Sequence, residues 1–240
     1  MRQTRLKFGL LWAMLLTTPV SALAGMVQGP TPERQEAQRI LRDFQAPEWK
    51  TRAEAFDRLI SLGEGDGSNI AGPVKRVLEK YPNQADQIKL ALMRLLEREN
   101  TRMEELNLRF EKTGQTIGQD YDTDYYANVI ASVATLKDIR SMNALLGAIT
   151  TGGMATDTLA EFAPVSLNPV LAKLEDKNPL VRMCALFVLQ EMLLPANCDK
   201  VKDPPLRSRI KRAFLRGTRD PDPVVRKRAV QYDVPRKLDQ

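Results

Sequence analysis

The 240-residue sequence contains no histidine. That removes the commonest general base and the commonest metal ligand. Cysteine is nearly absent as well, with Cys184 and Cys198 the only two. The donor set of a structural or catalytic zinc centre is therefore missing. No segment beyond the N-terminus approaches the ~20 apolar residues of a membrane span. No run alternates apolar and polar residues for long, so the signal for strands is missing too. What remains is helical spacing.

The two cysteines leave a disulfide open. An oxidising compartment would permit one. Cys184 lies in an apolar helical run and Cys198 in a polar turn after Pro195. A helix rises about 1.5 Å per residue, so the loop would have to fold back hard to join them.

The N-terminus reads as a secretory signal peptide over 1–24. Arg2, Arg5 and Lys7 form a positive start, Phe8 to Leu16 are almost wholly apolar, and Pro19 follows. Ala22-Leu23-Ala24 is a small-x-small site, which places cleavage before Gly25. Export to a periplasm or to the medium is the expectation. Residues 25–34 read as a flexible lead-in and 235–240 as a tail.

Charge is unevenly spread. The formal net charge is +6, of which three basic residues lie in 1–24. Residues 25–199 hold 20 basic and 25 acidic side chains, whereas 200–240 hold 13 basic and 5 acidic. Such polarity between two parts of a chain points to a partner for one of them.

The clearest pattern is internal repetition. Residues 175–186 read EDKNPLVRMCAL, and 219–230 read RDPDPVVRKRAV. Leu167, Val170, Leu171 and Leu174 give one helical apolar face. Asn178 is a good N-cap, and Pro179 suits the first helical position because its missing N–H needs no partner there. Val181, Ala185, Val188, Leu189 and Met192 mark a second face. Leu206, Ile210, Ala213 and Phe214, then Asp222, Pro223, Val225 and Ala229, repeat the grammar. Each unit is a helix, a tight turn and an antiparallel helix.

This pattern resembles the HEAT-repeat family, whose turn and second helix read D-x-x-P-x-V-R-x-x-A-x-x-x-L. Asp176, Pro179, Val181, Arg182, Ala185 and Leu189 match it throughout. Asp220, Pro223, Val225, Arg226 and Ala229 match as far as the alanine, after which Asp233 replaces the leucine. That departure reads as a truncated terminal helix. Arg52, Ala55 and Leu59 carry a weaker copy, and Ala91, Ala127 and Ala155 are aligned with the same small position. The resemblance implies an all-α, right-handed α-solenoid of five or six helical pairs over 35–234. It also implies that Asp176, Arg182, Asp220 and Arg226 form a polar ladder between repeats, a structural role. The second helices, around 50–62, 84–98, 122–136, 154–162 and 179–193, would line the concave surface.

Several stretches interrupt the pattern. GEGDGS at 63–68 reads as a surface connector and lacks the Lys-Ser or Lys-Thr of a phosphate loop. Residues 98–113 are heavily charged and either extend the helix that starts near Gln84 or form another. The linker 113–120 is the candidate break in the array. Asp120, Asp122 and Asp124 mimic the start of a calcium loop, but Tyr125 stands at its glycine position and Ala131 at its bidentate glutamate. These carboxylates read instead as a helix N-terminus. Tyr121, Tyr125 and Tyr126 are alternatively an exposed binding hot spot.

Arg209, Arg212, Arg216 and Arg219 line one helix face and its exit turn, with Lys227 close by in sequence. Such a face suits an acidic protein, anionic lipid or nucleic acid phosphate. Export argues against nucleic acid and leaves an acidic partner protein or an anionic membrane surface or polymer. No catalytic residue, cofactor site or metal site is read from the sequence. The leading expectation is a non-enzymatic exported scaffold that docks a protein partner. The resemblance implies one enzymatic alternative, since some HEAT-like proteins are lyases acting on tetrapyrroles or base-excision glycosylases. Those roles are intracellular.

Overall fold

Asn178 accepts a hydrogen bond from the Leu180 N–H at 2.9 Å, with Pro179 as the first helical residue behind it. Asp222 does the same for the N–H groups of Val224 and Val225, ahead of Pro223. Asp122 caps a third helix through the N–H groups of Asp124 and Tyr125. Each cap satisfies donors that the helix itself leaves unpaired. The helix starts expected at these three places are present.

The computed structural model describes residues 32–65, 70–114 and 121–232. The leader, most of the lead-in, the tail, Asp120, Asp233 and the linker from 115 to 120 lie outside the described residues. From Ala37 onward the chain forms one unit. The described residues hold eleven α-helices and no strand. They are α1 Pro32–Asp43, α2 Trp49–Leu62, α3 Ala71–Lys80, α4 Ala85–Thr113, α5 Thr123–Thr135 and α6 Met142–Gly147. Then follow α7 Met154–Glu161, α8 Leu167–Ala172, α9 Pro179–Glu191, α10 Pro204–Gly217 and α11 Pro223–Gln231. The fold class is all-α, as the spacing predicts.

Helices pack against near neighbours in the chain. α2 lies on α3, α3 on α4 and α5, and α4 on α5 and α6. α5 meets α7, α7 meets α9, and α9 meets α11, so the later helices that follow the tight turns touch in series. α8 and α10 both pack on α9. The core between them is apolar and closed: Phe56, Leu96, Val133, Leu159, Leu189 and Phe214 are all buried.

One detail departs from the sequence pattern, and one alternative it leaves open is decided. Ala127 was aligned with the buried alanines, yet it is exposed. α5 instead buries Tyr125, Tyr126, Val129, Ile130 and Val133, a face set by its aromatic residues rather than by its first alanine. Ala55, Ala155, Ala185 and Ala229 are buried as aligned. Residues 98–113 are not a separate helix. They continue α4 without a break to a length of 29 residues.

Candidate functional site

The sequence singles out the last two described helical pairs, and there a set of charged side chains converges. Arg182 stands on the first turn of α9. Its Nη1 donates back to the carbonyls of Asp176 and Lys177, at 2.8 and 3.1 Å. Its Nε and Nη2 donate to the two carboxylate oxygens of Asp220, at 2.8 and 2.7 Å. Asp220 sits on the turn between α10 and α11. It also accepts from the Asp222 N–H at 2.8 Å, which holds its carboxylate in place. Both side chains of the pair are only 11% exposed. The geometry is a bidentate fork, the strongest common form of side-chain hydrogen bond. The Arg182 hydrogen bond holds the Asp220 carboxyl below its ordinary value, and Asp220 holds the guanidinium above its own.

Arg226 repeats half of this arrangement. Its Nη1 donates to the carbonyls of Asp220 and Pro221 at 2.6 and 2.8 Å. Asp176 and Arg182 are joined through the aspartate's backbone carbonyl. The Asp176 carboxylate instead accepts from the Asn178 N–H at 2.9 Å.

Two of the basic residues, Arg216 and Arg219, line a cleft of about 310 Å³ together with Leu174, Asp176, Arg182 and Asp220. Arg216 reaches across to Glu175 in an ion pair whose side chains are both more than half exposed, so solvent screens most of it. Arg209 is half-buried and donates to the Asn168 side chain on α8. Arg212, Arg219 and Lys227 are exposed. The structure thus brings Arg216 and Arg219 to one cleft, turns Arg209 toward α8, and leaves Lys227 on α11 outside the cleft lining. A larger hollow of about 530 Å³ lies at the end of α1, but it is open and its Arg42 and Asp43 face each other.

A second cluster was not legible in the sequence. Arg52 on α2 donates through Nε to Glu99 of α4 at 2.5 Å, and through Nη1 to the carbonyls of Ala46 and Pro47. The Tyr121 hydroxyl donates to Oε2 of the same carboxylate at 2.7 Å, and the Tyr125 hydroxyl donates at 3.1 Å to Oε1, the oxygen that Arg52 also takes. The Arg52 and Glu99 side chains are 6% and 0% exposed. Burial, and then the Glu99 charge, push both tyrosines far above their ordinary value, so they stay protonated. Burial pushes Tyr126 up to about 12. All three tyrosines are buried, which overturns the reading of them as an exposed hot spot. The rings of Trp49 and Phe56 pack on them, with the Phe56–Tyr125 centroids 5.8 Å apart and edge-to-face.

Cys184 and Cys198 are free thiols, and burial pushes the Cys184 thiol up. Among the described residues no group of three His, Cys, Asp or Glu side chains is placed to hold a metal ion. Among them no helix is long and apolar enough to cross a membrane. Compared with known proteins, the chain matches no family model, no curated protein and no solved structure.

Proposed function

We propose that the chain is a non-enzymatic exported scaffold, a right-handed HEAT-like α-solenoid that docks a protein partner. The reading rests above all on the charge left exposed on α10, α11 and the turn between them, where Arg212, Arg219 and Lys227 face solvent. Such a field draws an acidic partner and fixes its orientation. The solenoid reading is supported by packing between chain neighbours and by the recurrence of one arginine geometry at three turns. The surface of α2, α4, α5, α7 and α9 offers the second docking face.

The test is affinity capture with residues 25–240 as bait and the exported fraction of the native cells as prey. Reversing Arg209, Arg212 and Arg216 to glutamate is expected to leave the helical circular dichroism unchanged and to abolish capture. These side chains make solvent-exposed or partly exposed contacts, so the fold loses little. Capture retained by the folded variant would move the docking site to the second helices. Binding to anionic vesicles with no protein captured would replace the scaffold by a surface-associating protein.

A further inference from the structure

Three arginines occupy the fourth position of their helices: Arg52 on α2, Arg182 on α9 and Arg226 on α11. Each folds Nη1 onto the carbonyls six and five residues upstream. The distances are 2.9 and 2.7 Å for Arg52, 2.8 and 3.1 Å for Arg182, and 2.6 and 2.8 Å for Arg226. A guanidinium is planar and rigid, so this grip fixes where its other N–H groups point. In two of the three a carboxylate is waiting there. Glu99 takes the Nε of Arg52, and Asp220 takes Nε and Nη2 of Arg182. Arg226 makes no hydrogen bond or ion pair to a carboxylate among the described residues, although its charge helps to lower the Asp220 carboxyl.

A second observation falls at the same place. The residue four positions after each arginine lies one turn further along the same helix face. Those residues are Phe56, Leu186 and Val230. Phe56 and Leu186 are 1% and 0% exposed, whereas Val230 is 63% exposed. Leu186 is covered by the following pair: a Cβ added at Gly217 would come within 3.0 Å of it. Val224 is exposed too, but so is its counterpart Leu180, so exposure there is common to both helices. An unfilled carboxylate fork and an uncovered apolar residue thus stand side by side on α11, where the chain elsewhere supplies both partners.

We propose that Arg226 and Val230 form a docking end for a partner protein that presents an aspartate on a helix-joining turn. The Arg226 fork takes the carboxylate as Arg182 takes Asp220, and the partner's adjoining apolar surface covers Val230. The exposed Arg212, Arg219, Lys227 and Arg228 favour an acidic turn. They also set a second copy of this face against itself, like charge against like. The inference rests on the scaffold reading and names the chemistry of its partner.

The first probe is N-acetyl-aspartyl methylamide, with the asparaginyl analogue as neutral control, titrated into the labelled chain while the arginine Nε–Hε resonances are followed by NMR. The Arg226 resonance is expected to shift saturably with the aspartyl probe alone. Arg182, already holding Asp220, is expected to stay in place, and Arg226→Lys to lose the response. The comparison within the wild-type chain stands even if the variant folds poorly. Equal shifts at Arg212, Arg219 and Arg226 would overturn the proposal in favour of a diffuse field. A shift caused only by anionic vesicles would overturn it in favour of lipid. A shift that requires removal of residues 233–240 would assign the fork to the chain's own tail. If Arg226→Lys still captures the same proteins while the triple reversal captures none, the docking end falls and the scaffold stands.

Discussion

Replacing Glu99 by alanine is expected to destabilise the fold by about 3–5 kcal/mol, the cost of stranding a buried charge. The Arg52 guanidinium would lose the Glu99 carboxylate while staying 6% exposed, pinned by the carbonyls of Ala46 and Pro47. Two buried tyrosine hydroxyls would lose their acceptor in the same step. For a chain of this size the thermal midpoint should fall by roughly 6–20 °C. Glu99→Gln keeps an acceptor but not the charge and should fall between wild type and alanine. Replacing Arg52 and Glu99 together by Met and Leu should recover much of the loss, because no unpaired charge is then left inside. Urea unfolding of the four proteins decides the matter. A Glu99→Ala midpoint equal to wild type would mean that water reaches Arg52.

Arg182→Ala is expected to cost about 2–4 kcal/mol, since it removes a bidentate pair and two carbonyl contacts and leaves Asp220 without its fork. Arg226→Ala should cost only about 1 kcal/mol, because among the described residues its hydrogen bonds go to two backbone carbonyls and not to a carboxylate. The pair also predicts a pH dependence. Asp220 has its carboxyl held below the ordinary value by Arg182, so in the folded state it releases its proton more readily than in the unfolded chain. Its contribution is complete above the unfolded value near ~3.9 and is lost as pH falls through the lower folded value. The gap between wild type and Arg182→Ala should therefore be constant through neutral pH and narrow in acid below about pH 4. A gap that widens in acid would contradict the assignment.

How much of this was legible in the sequence depended on whether the signal was local. Asn178-Pro179 and Asp222-Pro223 are caps, and a cap acts within three residues, so the sequence places the starts of α9 and α11 to the residue. The Arg182–Asp220 contact joins residues 38 apart and was legible only through the resemblance. Arg52 was noticed as a repeat position, but its partner was not. Glu99 lies in the heavily charged run 98–113, where nothing local marks one carboxylate as buried, and the packing of α2 and α5 on α4 buries it. The tyrosines misled in the same way: DYDTDYY is polar as a string, yet the phenol rings turn inward, and of its described residues Asp122, Thr123 and Asp124 remain exposed. Ala127 failed because alanine marks a buried position only where a larger neighbour does not set the face.

The length of α4 has a consequence for motion. The helix runs unbroken to Thr113, but its last buried residue is Leu106. From Asn107 onward every side chain is exposed, including Leu108 and Phe110. Beyond that point the helix has no core packing to add to its backbone hydrogen bonds, and those are marginal in water over two turns. Amide hydrogen exchange should therefore fall into two regimes within one continuous helix. The amides packed between Ile88 and Glu99 should open only with the whole fold, and those past Leu106 should exchange by fraying from the end. The boundary would lie at no kink, proline or glycine, and would trace the edge of the core from inside a single element.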